Sequence, residues 1–151
     1  MDIVKLQEEQ LKEALDLVWE VFCEFEKPEY STQGVESFKN FIDYDSIIKM
    51  YKNSCLKFWG YYDNNELAGI IATKNVNHIC LLFVKKQYHR KSIATELFKT
   101  VLEFYKNKDV KKITVNSSPY AVEVYHHFGF VDMDKEQEID GIRFTPMVYK
   151  V

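Results

Sequence analysis

The chain has 151 residues, of which 46% are hydrophobic and 15% aromatic, and its formal net charge is −3. That is enough apolar material for a sizeable core, while the acid excess argues against a general nucleic-acid binder, which needs an extended basic surface. The longest uninterrupted apolar run, Ile79 to Val84, is too short to span a membrane, and the N-terminus has no basic-then-apolar signal pattern, so a cytoplasmic protein is expected.

No linker, repeat or low-complexity tract breaks the chain, which predicts a single domain over 1–151. Asp2 to Leu6 reads as a short first strand. Glu8 to Phe25 reads as an amphipathic helix, because Leu11, Leu15, Val18, Phe22 and Phe25 recur at 4-3-4-3 spacing, with Pro28 marking its end. A second helix is predicted over Ser31 to Ile42, capped by Ser31 or Thr32, with a short helical piece near Ser46 to Tyr51. Leu56 to Tyr62 and Leu67 to Val76 are rich in aromatic and β-branched residues and flank Asp63-Asn64-Asn65, the pattern of an antiparallel hairpin. A strand over Asn77 to Val84 follows, then a helix over Ile93 to Tyr105, a strand over Lys112 to Asn116 and a helix over Pro119 to Phe128. Ser118 suits its N-cap, Pro119 its first position, and Gly129 a left-handed close. Strands over Phe130 to Glu136 and Ile142 to Tyr149, joined by a type I′ turn at Asp140-Gly141, end the chain. The order β-α-α-β-β-β-α-β-α-β-β describes an α/β (α+β) fold: a mixed, mostly antiparallel central sheet flanked by helices.

Chemistry is concentrated where the strand ending at Val84 empties through a basic loop into the helix beginning at Ile93. Five of the seven residues from Lys85 to Lys91 are Lys, Arg or His. Unpaired N–H groups and the dipole of a helix start, together with such cations, favour a bound anion such as pyrophosphate. The three cysteines, Cys23, Cys55 and Cys80, are odd in number and form no CxxC pair, which fits reduced thiols better than disulfides or zinc. The histidines show no ligand spacing either, so no metal is expected.

The segment His89-Arg90-Lys91-Ser92-Ile93-Ala94, after Leu82-Phe83-Val84, resembles the acetyl-CoA loop of the GNAT superfamily of N-acetyltransferases, Q/R-x-x-G-x-G/A. His89 stands where Gln or Arg is usual and Ser92 where the first Gly is usual, so Ser92 is expected to hold an ordinary backbone angle, its hydroxyl free to cap the helix or touch phosphate. A second motif has the same resemblance: Asn116 at a strand end, then Tyr125 on a helix shortly before Gly129-Phe130. The predicted element order is also that of the GNAT fold.

The resemblance implies acetyl-CoA as co-substrate and direct transfer of an acetyl group to a primary amine. It places Leu82, Phe83, Val84, His89, Arg90, Lys91, Ser92, Ile93, Ala94, Thr95, Asn116 and Tyr125 against the cofactor. The main chain near Leu82 or Phe83 would serve the oxyanion, and Tyr125 would protonate the departing thiolate. His78, six residues before Val84, occupies the strand on which some family members carry a catalytic Glu or His; a hydrogen-bonded structural role is the alternative. Glu24, Glu26 and Tyr30 fall in the region that lines the acceptor pocket in related proteins, or else form a solvated helix end. The implied partners are a small-molecule or peptide amine, with no nucleic acid and no membrane; paired subunits are common in the family, which leaves a homodimer open. The other reading is a GNAT-like domain that binds acetyl-CoA or a partner without catalysing transfer.

Overall fold

A computed structural model describes residues 2–89 and 92–151. An eight-stranded sheet runs through it in the order β1-β2-β3-β4-β5-β8-β6, with β7 paired to β8. The strands are β1 (Asp2–Lys5), β2 (Leu56–Asp63), β3 (Glu66–Lys74), β4 (His78–Val84), β5 (Lys112–Ser117), β6 (Val131–Asp132), β7 (Gln137–Ile139) and β8 (Ile142–Lys150). The helices are α1 (Leu11–Val21), α2 (Thr32–Phe41), α3 (Tyr44–Lys52), α4 (Ile93–Lys106) and α5 (Val122–Phe128).

Alternation along the strands divides the core in two, since successive side chains leave opposite faces. Phe58, Ile70, Leu81 and Phe83 join the cluster under α1, α2 and α3, which includes Leu11, Phe22 and Ile47. Trp59, Ile71, Ile79 and Val84 join the cluster under α4 and α5, which includes Leu97, Phe98 and Phe130. With both faces covered, β3 is buried continuously from Leu67 to Thr73, which explains its unbroken apolar sequence.

Two irregularities prepare the site. Every strand pair is antiparallel except β4 with β5, and that parallel pair is short: only His78↔Thr114 and Ile79↔Val115 are in register. Opposite β3, the register jumps from Ala72↔Leu81 to Thr73↔Ile79, so Cys80 is an extra residue in β4. Such a bulge bends its strand, and beyond it β4 parts from β5. The second irregularity is a π-helical turn, Phe22–Glu26, that continues α1. Its wider turn shifts the inward position from Phe25, which is half-buried, to Glu26, which is buried at 9% exposure. The predicted apolar stripe therefore ends in a carboxylate.

Other expectations are adjusted. The first helix begins as a 3₁₀ turn at Glu8–Gln10 and runs through the π turn into a second 3₁₀ turn, Lys27–Glu29, that contains Pro28. The third predicted strand of the first sheet half stops at Lys74, where Asn75 turns with φ +61°. The predicted strand Phe130 to Glu136 shrinks to Val131–Asp132, because β7 takes up pairing with β8 separately, as Gln137↔Phe144 through Ile139↔Ile142. The predicted type I′ turn forms at Asp140-Gly141, where both φ are positive, and the predicted hairpin around Asp63-Asn64-Asn65 turns at Asn64-Asn65, also with positive φ at both.

Candidate active site

Where β4 and β5 part, two neighbouring cavities open. The larger, about 540 Å³, lies among the end of β4, the start of α4 and the helix α5; the smaller, about 190 Å³, lies under the π turn and α2. They share Glu26, Leu82, Phe83 and Ala121. The main chain of β4 from Cys80 onward has no β5 partner, so its edge is free to bond a ligand.

Glu26 sits between the two spaces. Burial pushes its carboxyl up to about 7, against the lowering effect of the Ser118 and Tyr30 hydroxyls that face it. Tyr30, in turn, is raised by burial and by the Glu26 charge. Ser118 occupies the N-cap position of the 3₁₀ turn Pro119–Ala121, but its hydroxyl makes no cap bond and turns to Glu26 instead. Tyr125 is 4% exposed, wedged edge-on between Phe128 and Phe130 at ring distances of 5.8 and 5.3 Å. Burial, then the Glu26 and Cys80 charges, hold its phenol far above the ordinary range, so it stays protonated. Tyr125 lines the smaller cavity, and Glu26 lines both.

At the other end, Ile93, Ala94 and Thr95 of the first turn of α4 line the larger cavity. The first helical bond among the described residues is Glu96 N to Ser92 O at 3.0 Å, and the N–H groups of a helix's first turn are the ones suited to a ligand. His89 donates from Nε2 to the Val84 carbonyl at 2.7 Å, and its ring lies 4.9 Å from that of Phe25. The histidine thus ties the loop back to the end of β4.

A family profile for the acetyltransferase (GNAT) domain matches residues 26–151. The chain belongs to the GNAT acetyltransferase family. Solved GNAT structures share its fold at low identity. A GCN5-related N-acetyltransferase from Rhodopseudomonas palustris superposes with a TM-score of 0.85 at 16% identity, covering 99% of this chain and 95% of its own. The PaiA N-acetyltransferase from Thermoplasma acidophilum, in complex with coenzyme A, gives 0.77 at 20% identity over 99% and 98%. The spermidine N-acetyltransferase from Vibrio cholerae, in complex with CoA and spermine, gives 0.65 at 18% over 99% and 94%. No curated protein matches the sequence.

In this GNAT domain, Leu82, Phe83, Val84, His89, Ser92, Ile93, Ala94 and Thr95 come together around the larger cavity, and Asn116 and Tyr125 line the smaller one. Arg90 and Lys91 lie outside the described residues. Lys85 and Lys86 line neither cavity: their ammonium groups lie 3.8 Å from Glu66 and 4.0 Å from Glu24, respectively. The exposed Glu24 thereby leaves the site, whereas Glu26 and Tyr30 remain in it.

His78 stands at the closed end of the parting, where Nδ1 is 2.9 Å from Thr114 Oγ1. It lines neither cavity, and burial, followed by the Lys74 charge, lowers its pKa. Ser118 and the aromatic wall of Phe38 and Phe41 are site residues that the sequence did not single out. The signal for the two rings lay in α2, whose inward face carries aromatic residues. Among the described residues, no group of three His, Cys, Asp or Glu side chains is arranged to hold a metal, and no helix is long and apolar enough to cross a membrane.

Ser92 corrects an expectation. Its φ is +63° and its ψ +16°, a left-handed conformation, and its hydroxyl makes no cap bond. The loop thus keeps the geometry for which glycine is suited, at a strain of roughly 1 kcal/mol for a residue with a Cβ. Ser92→Gly is expected to raise stability by several tenths of a kcal/mol up to about 1, the greater freedom of unfolded glycine offsetting part of the gain. Denaturant titration of the two proteins measures this, and an unchanged or lower midpoint would refute the strain.

Proposed function

We propose that the protein transfers the acetyl group of acetyl-CoA directly to a primary amine, with Glu26 as general base and Tyr125 as general acid. The reading rests on one observation above all: the parting of β4 from β5 exposes a free main-chain edge beside a buried carboxylate and a buried phenol. Acetyl-CoA supplies an acyl group already activated as a thioester. The residues present suit it, because a free strand edge can bond the amides of a pantetheine arm, and the start of α4 offers N–H groups to a pyrophosphate.

Each remaining task falls to a residue of the chain. A carboxylate that titrates near 7 is half ionised at neutral pH and can take a proton from an ammonium or attacking amine. Ser118 and Tyr30 orient that carboxylate. The N–H groups near Leu82 and Phe83, on the edge unpaired with β5, would face the acyl oxygen and stabilise charge gathering there. Tyr125 holds its proton until a thiolate needs it. Glu26 replaces His78 in the base role because it lies in the cavity, whereas the His78 ring is engaged with Thr114 at the far end.

Calorimetric titration with acetyl-CoA and CoA, followed by measurement of CoA release with amines, tests the reading. Micromolar binding with amine-dependent release is the expected result; tight binding with no release from any amine would favour the non-catalytic domain. Tyr125→Phe is expected to lower kcat by roughly ten-fold or more while leaving the Kd for CoA within about two-fold. An unchanged kcat would make Tyr125 a packing residue only.

A further inference from the structure

We propose that the acceptor is a small monoamine carried on an apolar body, aromatic or branched aliphatic, in preference to a polyamine or an aminosugar. The inference rests on the proposed transfer chemistry for the position of the reacting nitrogen, and on the walls of the smaller cavity for everything else. That space is about 190 Å³, and the rings of Tyr30, Phe38, Phe41 and Phe83 line it. Glu26 is the one carboxylate among its described lining residues. A single ammonium is therefore matched by a single negative charge, and the rest of the acceptor meets aromatic surface.

A second ammonium would find no second carboxylate among the described lining residues, and it would meet a repulsive neighbour. Lys74 places its ammonium 5.4 Å from the centroid of the Phe41 ring, and its charge reaches the Cys80 thiol on the same cavity wall. A cation behind the wall discriminates against di- and polycations by like-charge repulsion.

Hydroxyl-rich acceptors fare no better, because the lining hydroxyls are already engaged and Asn116 is the one side-chain amide among the described lining residues. Ser117 Oγ donates to the Ser118 carbonyl at 2.9 Å, and the Ser118 and Tyr30 hydroxyls face Glu26. An aminosugar would bury hydroxyls without partners, which is a strong basis for rejection. The β7–β8 turn closes the side next to Ile142, where Ser37 Oγ donates to the Asp140 carbonyl at 2.8 Å and Ser31 Oγ to the Gly141 carbonyl at 3.3 Å. A peptide backbone is thereby kept out on that side.

The test compares 2-phenylethylamine with 1,4-diaminobutane, spermidine, kanamycin and a lysine-containing peptide at saturating acetyl-CoA. In parallel, the same amines are titrated calorimetrically into the protein with CoA bound at pH 8. A kcat/KM for 2-phenylethylamine at least about ten-fold above the others is expected, with the same order in affinity. Lys74→Gln should narrow the gap to 1,4-diaminobutane. If no amine turns over but 2-phenylethylamine still binds best, the ligand class stands and the transfer reading fails. A polyamine, aminosugar or peptide that binds or reacts better, or the binding of no amine at all, overturns the proposal.

Discussion

Glu26→Gln is expected to give a protein that is at once more stable at pH 8 and nearly inactive. The catalytic loss follows from removing the one carboxylate that lines both cavities among the described residues, and general-base loss typically lowers kcat/KM by about 10²- to 10⁴-fold. The gain in stability follows from linkage. In the folded protein Glu26 titrates near 7, against 4.5 for an unperturbed glutamate. The folded state therefore holds a proton that the unfolded chain has already released between these values, and stability falls as pH rises from 4.5 to about 7, then levels off. The difference corresponds to roughly 3 kcal/mol at pH 8. Glutamine keeps the hydrogen-bonding shape without the buried charge, so the Tm of the variant should exceed that of wild type by roughly 5–10 °C at pH 8, and the difference should vanish near pH 4.5. Thermal unfolding at the two pH values, alongside the pH profile of kcat/KM, checks both halves. Wild-type activity should rise with pH through about 7; a flat profile there, or equal Tm values at pH 8, would remove Glu26 from the role.

Gly34→Ala is expected to injure the acceptor side while sparing the cofactor side. Gly34 lies at the third position of α2, its N–H bonded to the Ser31 Oγ cap at 3.0 Å. A Cβ on Gly34 would sit 2.9 Å from the Gly141 carbonyl carbon and closer still to its oxygen, and one on Gly141 would meet Gly34 N at 2.5 Å. The contact is backbone against backbone, so no flexible side chain can yield. Alanine would gain about 1 kcal/mol in helix propensity but incur about 1–3 kcal/mol of overpacking, and it would lose the bonds from Ser31 and Ser37 to the turn. A net loss of about 1–2 kcal/mol, or roughly 3–8 °C in Tm, is expected. Because Ile142 follows Gly141 and lines the smaller cavity, KM for the amine should rise several-fold, with the Kd for CoA unchanged. Parallel thermal unfolding and steady-state kinetics decide it; equal losses in both ligands would mean general unfolding rather than a displaced turn.

The elements that carry periodic apolar residues were legible in the sequence. Leu11 through Phe22 declared α1, and the cofactor loop was marked by an abrupt change from apolar strand to basic turn to amphipathic helix. What stayed hidden depends on departures from regular period. Glu26 looked like the solvated end of a helix, because a 3.6-residue repeat puts Phe25 inward; the π turn that reverses the two leaves no trace in composition. His78 was attractive because its strand passes the site, but the sequence does not tell which end of a strand is paired, and β4 is joined to β5 only at that residue and the next. Ser92 illustrates the same limit at one residue: a non-glycine was read as relaxing the backbone, whereas the surrounding loop imposes the left-handed angle regardless.

The short seam between β4 and β5 also has a mechanical meaning. Everything from β1 to β4 is joined through the sheet to everything from β5 onward by two residue pairs, clasped by the His78–Thr114 bond. With the seam as a pivot, β4 would be the arm of a lever. From Ile79 to Val84 the arm is about 17 Å long, so a tilt of roughly 3° at the pivot moves its tip by about 1 Å. A change at His78 or Thr114, neither of which lines a cavity, would thus be felt at the far end of β4.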